Sequence, residues 1–423
     1  MRRMRMAGTV AAGACAAALT VSLAACTSVG KSAGAPFATM FPSAGTAPAH
    51  APGSGSGSGS GSGVRIGSAS GHPAGSNRAA RVRAATLSRN ALADPDAIAA
   101  GDSDVWVANS DYESDGRGWV SEFNAASGAL VRVITSPRDR LTDPQALAVD
   151  EDRVWVADGD GGALTELNAA TGALIRVVAG RQYQFADPAA IAVAGGDLWV
   201  ANGGSDSVTE LNAATGALIR VISAPRYRLN TTVYSPAIAA AGDHVWVPDG
   251  GSDSVTEINA VTGGLIRVIS KPAYRLGGPD AIAAAGDGVW VVDVDSGSVT
   301  EINAATGALI RVISPVANVP FAIAADQAGV WLMTNLGVKA VDGARPDGAV
   351  DEFSAVTGRP IARFAGPPFR SDNPGGAIAA EGAHIWATDT SFYSYRGWVA
   401  ELSARTGGLV QVIGARSGHL ERS

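Results

Sequence analysis

Two stretches of this chain bring tyrosine, arginine and tryptophan together: NSDYESDGRGWV (Asn109–Val120), with Tyr112, Arg117 and Trp119, and DTSFYSYRGWV (Asp389–Val399), with Tyr393, Tyr395, Arg396 and Trp398. A third, NLGVKAVDGARPDG (Asn335–Gly348), adds Lys339 and Arg345. Aromatic faces that stack, beside guanidinium forks that pair with carboxylate or phosphate, suit recognition more than bond-making. The competing account is that Arg-Gly-Trp simply packs down over whatever lies beneath it. Nothing of catalytic pattern accompanies these residues. Beyond residue 90 and before the final tail the only histidines are His244 and His384. Each precedes a Val/Ile-Trp pair in distant copies of a repeat, so the two share no metal and are expected as exposed turn residues. The Asp-rich turns around Asp158 and Asp160, and Asp293 and Asp295, offer alternating oxygens, yet neither completes the calcium loop with its distal glutamate, and hairpin turns are expected instead. No catalytic residue, metal site or cofactor is assigned.

The chain opens MRRMRMAGTVAAGACAAALTVSLAAC, with three arginines before an apolar run too short to span a bilayer, which predicts a secretion signal over residues 1–25. Leu23, Ala24, Ala25 and Cys26 resemble the lipobox of bacterial lipoproteins. That resemblance implies lipidation of the Cys26 sulfur, cleavage just before it, and an extracytoplasmic protein anchored to the cell membrane by lipid alone. Cys15 lies in the removed segment, so the mature chain has no partner for a disulfide and no free thiolate. Residues 26–90 form a Gly/Ser/Ala/Pro-rich tether, including GSGSGSGSGSG, with too little apolar surface to build a core. The full chain carries 32 Lys and Arg against 39 Asp and Glu, for a net charge of −7, and loss of the signal makes it more acidic. Nucleic acid is therefore not an expected partner.

What positions the recognition residues is a repeat over residues 91–414. Seven Ala-Ile/Leu-Ala triplets are each followed by a tryptophan at constant spacing: Ile98 with Trp106, Leu147 with Trp155, Ile191 with Trp199, Ile238 with Trp246, Ile282 with Trp290, Ile323 with Trp331 and Ile378 with Trp386. Each unit holds four short β-type runs, which in the third copy read AIAVA, LWVAN, SVTELN and ALIRVI (strands a to d). The fold class is therefore all-β: a seven-bladed β-propeller of four-stranded antiparallel blades, followed by a short tail over residues 415–423. The tryptophans are expected as inter-blade core. A strand-c glutamate also recurs: Glu122, Glu166, Glu210, Glu257, Glu301, Glu352 and Glu401. In five copies a strand-d arginine lies symmetrically across the Thr/Ser turn, which predicts cross-strand ion pairs on the outer strands. Gln411 replaces that arginine in blade 7, and Pro360 shifts the frame in blade 6 so that Ala362 faces Glu352.

The blade text resembles the YVTN, NHL and streptogramin-lyase group of propellers from about Ala91 to Gly414, and "NAATGALI" brushes the pyrroloquinoline quinone enzyme repeat without that family's tryptophan in the last strand. The streptogramin lyases' histidine, glutamate and magnesium constellation finds no match here residue by residue. RVRAATLSRNALADP (Arg81–Pro95) resembles VRVITSPRDRLTDP of the first junction, so it is an eroded strand d able to join blade 7 beside or instead of LVQVI; the C-terminal strand is expected to hold that place.

Variation falls on one side of the disc. The extra residues of blades 1, 6 and 7 all lie between strands b and c, and in antiparallel blades the b-to-c and d-to-a loops share one face. Closure makes those three blades neighbours. The d-to-a loops add Arg138, Arg140, Arg181, Tyr183, Arg226, Tyr227, Arg228, Tyr274 and Arg275 to that loop face, against Asp102, Asp104, Asp150, Glu151, Asp152, Asp197, Asp243 and Asp287 opposite. The expected function is a monomeric, membrane-anchored binding or scaffold module that takes a protein or glycan on its loop face. The alternatives are a metal-dependent lyase or hydrolase of propeller type, and a structural cell-wall or surface component.

Overall fold

A computed structural model describes residues 83–86, 91–101, 103–110, 117–135, 141–150, 152–223, 225–229, 236–314, 319–327, 329–335, 348–365, 369, 376–390 and 397–414. The signal segment, Cys26, most of the tether and the C-terminal tail lie outside them. The described chain is a seven-bladed β-propeller, with blades over residues 95–134, 144–179, 188–222, 239–269, 279–313, 319–365 and 378–414. In each blade the four strands pair in sequence order and antiparallel, as in blade 3: Pro188–Ala194, Asp197–Asn202, Ser207–Asn212 and Leu218–Ile222. Both faces of a blade are covered by its neighbours, so its inner strands read as unbroken apolar runs. Small alanines fill the crowded inner strands, where Ala97, Ala146 and Ala190 are buried. All seven predicted tryptophans are at most 1% exposed, which makes them the core they were expected to be.

Opposite each tryptophan on strand b sits the recurrent glutamate of strand c, Trp199 against Glu210 for example. The glutamate in turn faces the predicted strand-d residue: Arg132, Arg176, Arg220, Arg267 and Arg311 in blades 1 to 5, Ala362 in blade 6 and Gln411 in blade 7. Immediately after the glutamate every blade slips register by a bulge. The five arginine Nε atoms lie 2.6–2.9 Å from the carboxylates. The expected cross-strand pairs are thus present; in addition the carboxylates are buried, and the arginines do more than pair across a hairpin. Arg132, Arg176, Arg220 and Arg311 each donate through Nη2 to a turn carbonyl of the following blade, at Ala170, Ala214, Val261 and Val356. The arginine stem runs over the glycine of that turn, so a Cβ on Gly263 would come within 2.3 Å of Arg220 Nη1. That glycine also has φ +67, a conformation costly for any side chain. Glutamate, arginine and turn carbonyl thus form a staple from blade to blade.

The two irregular blades depart from this staple in different ways. In blade 6 the frame shift puts Arg363 opposite Asp351, and its Nη1 reaches both carboxylate oxygens at 3.0 Å. In blade 7 Gln411 Nε2 donates to Glu401 Oε2 at 2.5 Å and to Ala125 O of blade 1 at 3.2 Å, taking the arginine's place at the seam. Thr388 Oγ1 also donates to Pro95 O across that seam. Leu409–Gly414 is the fourth strand of blade 7, as expected, and Arg83–Thr86 joins it from outside as a fifth strand, parallel to it. The eroded copy therefore lies beside the C-terminal strand and does not displace it.

Candidate functional site

Where the long loops of blades 1 and 7 return to their strands, the two Arg-Gly-Trp copies do similar work. Gly118 donates its N–H to Leu141 O at 3.0 Å, and a Cβ there would lie 2.1 Å from Pro144 Cδ of blade 2. Gly397 lies against Pro95 of blade 1 in the same way, with a Cβ position 2.2 Å from its Cδ. Each glycine is therefore a contact at a blade junction. Trp119 is buried and Trp398 half-buried, the latter edge-on to Phe369 with ring centroids 5.3 Å apart. Arg117, one residue before that glycine, is exposed. The competing account of the motif thus holds for glycine and tryptophan, while the arginine is left facing solvent. Tyr112, Lys339, Arg345, Tyr393, Tyr395 and Arg396 lie outside the described residues.

Asn109, which ends strand b of blade 1, fastens the start of that loop. Its Nδ2 donates to Ser121 Oγ at 3.3 Å, and its Oδ1 accepts from Ala93 N at 3.3 Å. Equivalent positions hold Asp158, Asn202, Asp249, Asp293 and Asp389, all buried. Asp158 accepts from Thr142 N at 2.7 Å, Thr142 Oγ1 at 2.6 Å and Gly161 N at 2.8 Å, so it organises a turn. Burial pushes Asp293 up to about 8, against the hydroxyl of Thr300 and the amide of Gly277. Among the described residues no group of three or more His, Cys, Asp or Glu side chains is arranged to hold a metal ion.

A feature the sequence reasoning missed lies at the head of the inner strands of blades 1 to 3. Each is introduced by Asp-Pro, at Asp94, Asp143 and Asp187, and the recurrence of that dipeptide was the available signal. Gln145 Nε2 bridges two of these carboxylates, donating to Asp143 Oδ2 at 2.7 Å and Asp187 Oδ1 at 3.2 Å; Ser110 Oγ donates to Asp143 Oδ1 at 3.1 Å. Burial raises Asp143 and Asp187, and burial followed by the charge of Asp94 raises Asp96 well above the usual carboxylate range. This acidic row borders the start of the loop of blade 1 through the Ser110–Asp143 bond, and burial shifts its carboxyls toward the protonated form.

Two expectations are corrected. His244 and His384 do lie beside the a-to-b turns, and His384 is exposed as expected while His244 is half-buried; what was not expected is that both are engaged, Nδ1 of each meeting the strand-c glutamate, Glu257 at 2.6 Å and Glu401 at 2.5 Å. Arg153 fills the same place in blade 2, 3.1 Å from Glu166. The second correction concerns the tyrosines of the d-to-a loops. Tyr227 and Tyr274 are buried and Tyr183 half-buried, and their hydroxyls donate to Gly263 O, Gly307 O and Gly216 O of the next blade at 2.8, 2.8 and 3.2 Å. They are wedges between blades.

The family described as outer membrane protein assembly factor BamB (PQQ_2) matches residues 76–312, more than half of the chain. The chain belongs to that family. The match spans the repeats that carry "NAATGALI", the string shared with the quinone-enzyme repeat. No curated protein matches the chain. Among solved structures, this BamB-family chain is similar to a streptogramin B lyase, at 18% identity over 71% of this chain and 92% of that one with a TM-score of 0.55. It is also similar to an inactivated virginiamycin B lyase from Staphylococcus aureus with quinupristin (17% identity, 72% and 94% covered, TM-score 0.55). A computationally designed protein, Ika8, matches at 14% identity over 78% and 89% with a TM-score of 0.54. At these identities the likeness is one of fold, and it supports the streptogramin-lyase-like propeller expected from the blade text.

Proposed function

We propose that this BamB-family propeller is a binding module held at the extracytoplasmic face of a membrane by a lipid on Cys26, and that it takes a protein or glycan through the loops of blades 6, 7 and 1. Tyr112, Arg117, Lys339, Arg345, Tyr393, Tyr395 and Arg396 make the contact, with Trp119 and Trp398 as their footing. The observation that carries this is the confinement of loop growth to one face of three consecutive blades, 6, 7 and 1, the last two joined at the ring seam where Gln411 bonds Ala125. Loops placed on a rigid scaffold are where recognition residues concentrate. Arg117 supports the assignment by standing exposed beside an anchored glycine and tryptophan. The family's description, an outer membrane protein assembly factor, agrees with a protein partner at a membrane. Among the described residues no helix is long and apolar enough to cross a bilayer.

The test compares two variants, one with Tyr112, Arg117, Tyr395 and Arg396 changed to alanine, the other with Asp102, Asp104, Asp150 and Asp152 of the opposite face changed to alanine. Capture of cell-surface proteins, or of glycans on an array, is expected to fail in the first alone, with stability altered by no more than about 0.5 kcal/mol. Loss confined to the second, or equal capture by both, would refute the assignment. Cys26→Ser is expected to leave the protein soluble or unprocessed, and retention at the membrane after correct cleavage would refute the anchor.

A further inference from the structure

Three successive d-to-a loops, leading into blades 3, 4 and 5, share one backbone design. Each makes a single 3-10 turn, Arg181–Tyr183, Pro225–Tyr227 or Pro272–Tyr274, whose tyrosine is wedged between blades as described above. Each turn ends on a residue in the left-handed region: Gln184 with φ 53, Arg228 with φ 52 and Arg275 with φ 52. Their amides close the turns onto Arg181 O, Pro225 O and Pro272 O at 3.3, 3.0 and 3.1 Å. Glycine or asparagine is the usual occupant of such a position, because other side chains strain there. Arginine stands there twice. A position strained by its own side chain and repeated with the same charge points to a use for that charge outside the fold.

These loops present Arg181, Arg226, Arg228, Lys271 and Arg275, all exposed. Arg228 Nη1 donates to Ser270 Oγ at 3.4 Å, so the arginine of one loop reaches the start of the next, beside Lys271 in sequence. Arg226 stacks on Tyr227 with its Cζ 5.0 Å from the ring centre, which holds that guanidinium in place. Among the described residues no carboxylate pairs with any of the five. The nearby Asp253 accepts from the Gly278 amide at 3.0 Å. Among the described residues of these loops no large apolar side chain is exposed. The exposed side chains these residues do present are repeated cations, which favours a ligand recognised by charge over one seated in a peptide groove.

We propose that this rim of blades 3 to 5 is a docking strip for a linear phosphate polymer, separate from the loop cluster of blades 6, 7 and 1. The test uses the full chain and inorganic polyphosphate, with Arg228→Gly/Arg275→Gly as the variant. Glycine relieves the left-handed backbone, so the melting temperature is expected to stay level or rise while affinity falls at least tenfold. The slope of log affinity against log salt is expected to shrink by about 1.4, by analogy with about 0.7 per cation on single strands. Arg359→Gln/Arg405→Gln removes the same charge from exposed turns on the opposite face and is expected to leave binding unchanged. A fall in melting temperature for the glycine variant would make the arginines structural and overturn the proposal. So would equal loss in the control pair, no binding of polyphosphate by the wild-type chain, or binding only of poly-L-glutamate or of phosphatidylglycerol vesicles.

Discussion

Arg311→Met isolates the blade-to-blade staple in its simplest form. Glu301 is buried, its Oε2 is 2.6 Å from Arg311 Nε, and the same guanidinium reaches Val356 O of blade 6 at 2.9 Å. Gly288 stands where blades 2, 4 and 7 place Arg153, His244 and His384, so Arg311 is the one cation paired with Glu301 among the described residues. Removing one partner of a buried pair costs about 3–5 kcal/mol. Because Arg311 is 26% exposed and water enters as it leaves, the lower end applies, about 3 kcal/mol, or about 4 °C in Tm for a ring of this size. Burial already holds the Glu301 carboxyl above its usual range, opposed only by Arg311. A carboxyl whose pKa is raised on folding gives full stability below its unfolded pKa and loses it as pH rises through the folded one. The variant is therefore expected to lose more at pH 8 than at pH 5, and Glu301→Gln added to it is expected to restore most of the loss. Urea and thermal unfolding at the two pH values measure both effects. A loss under about 0.5 kcal/mol at pH 8, or no recovery with glutamine, would show that Arg311 is a surface residue and the staple a coincidence of geometry.

Arg267→Met removes the equivalent arginine of blade 4 but leaves His244 2.6 Å from Glu257, so its Tm is expected to fall by less than that of Arg311→Met. Glu122 and Glu210 are each pushed up to about 7 by burial, Arg132 and Arg220 pulling against it and Asp104 and Asp197 adding to it. Tm is accordingly expected to decline between about pH 4.5 and 7, and Asp104→Asn/Asp197→Asn to flatten that decline in a pH series. Gly118→Ala drives a Cβ to 2.1 Å from Pro144 Cδ and is expected to cost about 2 kcal/mol by calorimetry. Tyr274→Phe, which leaves Gly307 O without its donor and Leu309 N without its acceptor, is expected to cost about 1–2 kcal/mol in the same assay.

Much of this was legible in the sequence because it is local to a blade. The equal distances of Glu210 and Arg220 from the turn at Thr215 fix their pairing, and Pro360 announces that Ala362, not an arginine, will face Glu352. Both follow from counting along a hairpin. What could not be counted is what one blade does to the next. Tyr227 and Tyr274 read as loop-face residues, yet the next blade's Thr256 and Thr300 bond their carbonyls, and both tyrosines are buried. The carboxylates Asp143 and Asp187 belong to different blades and are bridged by Gln145, a residue the repeat does not keep in kind from copy to copy. The ligand residues were legible only as a location, since the length of a loop says where it is rooted and not how its side chains lie.

The seam between blades 7 and 1 also bears on how the molecule is made. Its bonds, Gln411 to Ala125 and Thr388 to Pro95, join residues 286 and 293 positions apart, and Arg83–Thr86 reaches the same last blade. As the chain emerges, blades can stack one upon another from the N-terminal side, but the flank of blade 1 waits for the final strands. Until they arrive the chain is an open arc with two complementary ends. An arc can close on itself, or offer its last blade to the first blade of a neighbour, and the second choice grows a head-to-tail polymer by the same contacts that seal the native ring. Sequestering blade 1 until synthesis is complete, or keeping nascent arcs dilute, therefore belongs to the biogenesis of this fold as much as the staples belong to its stability.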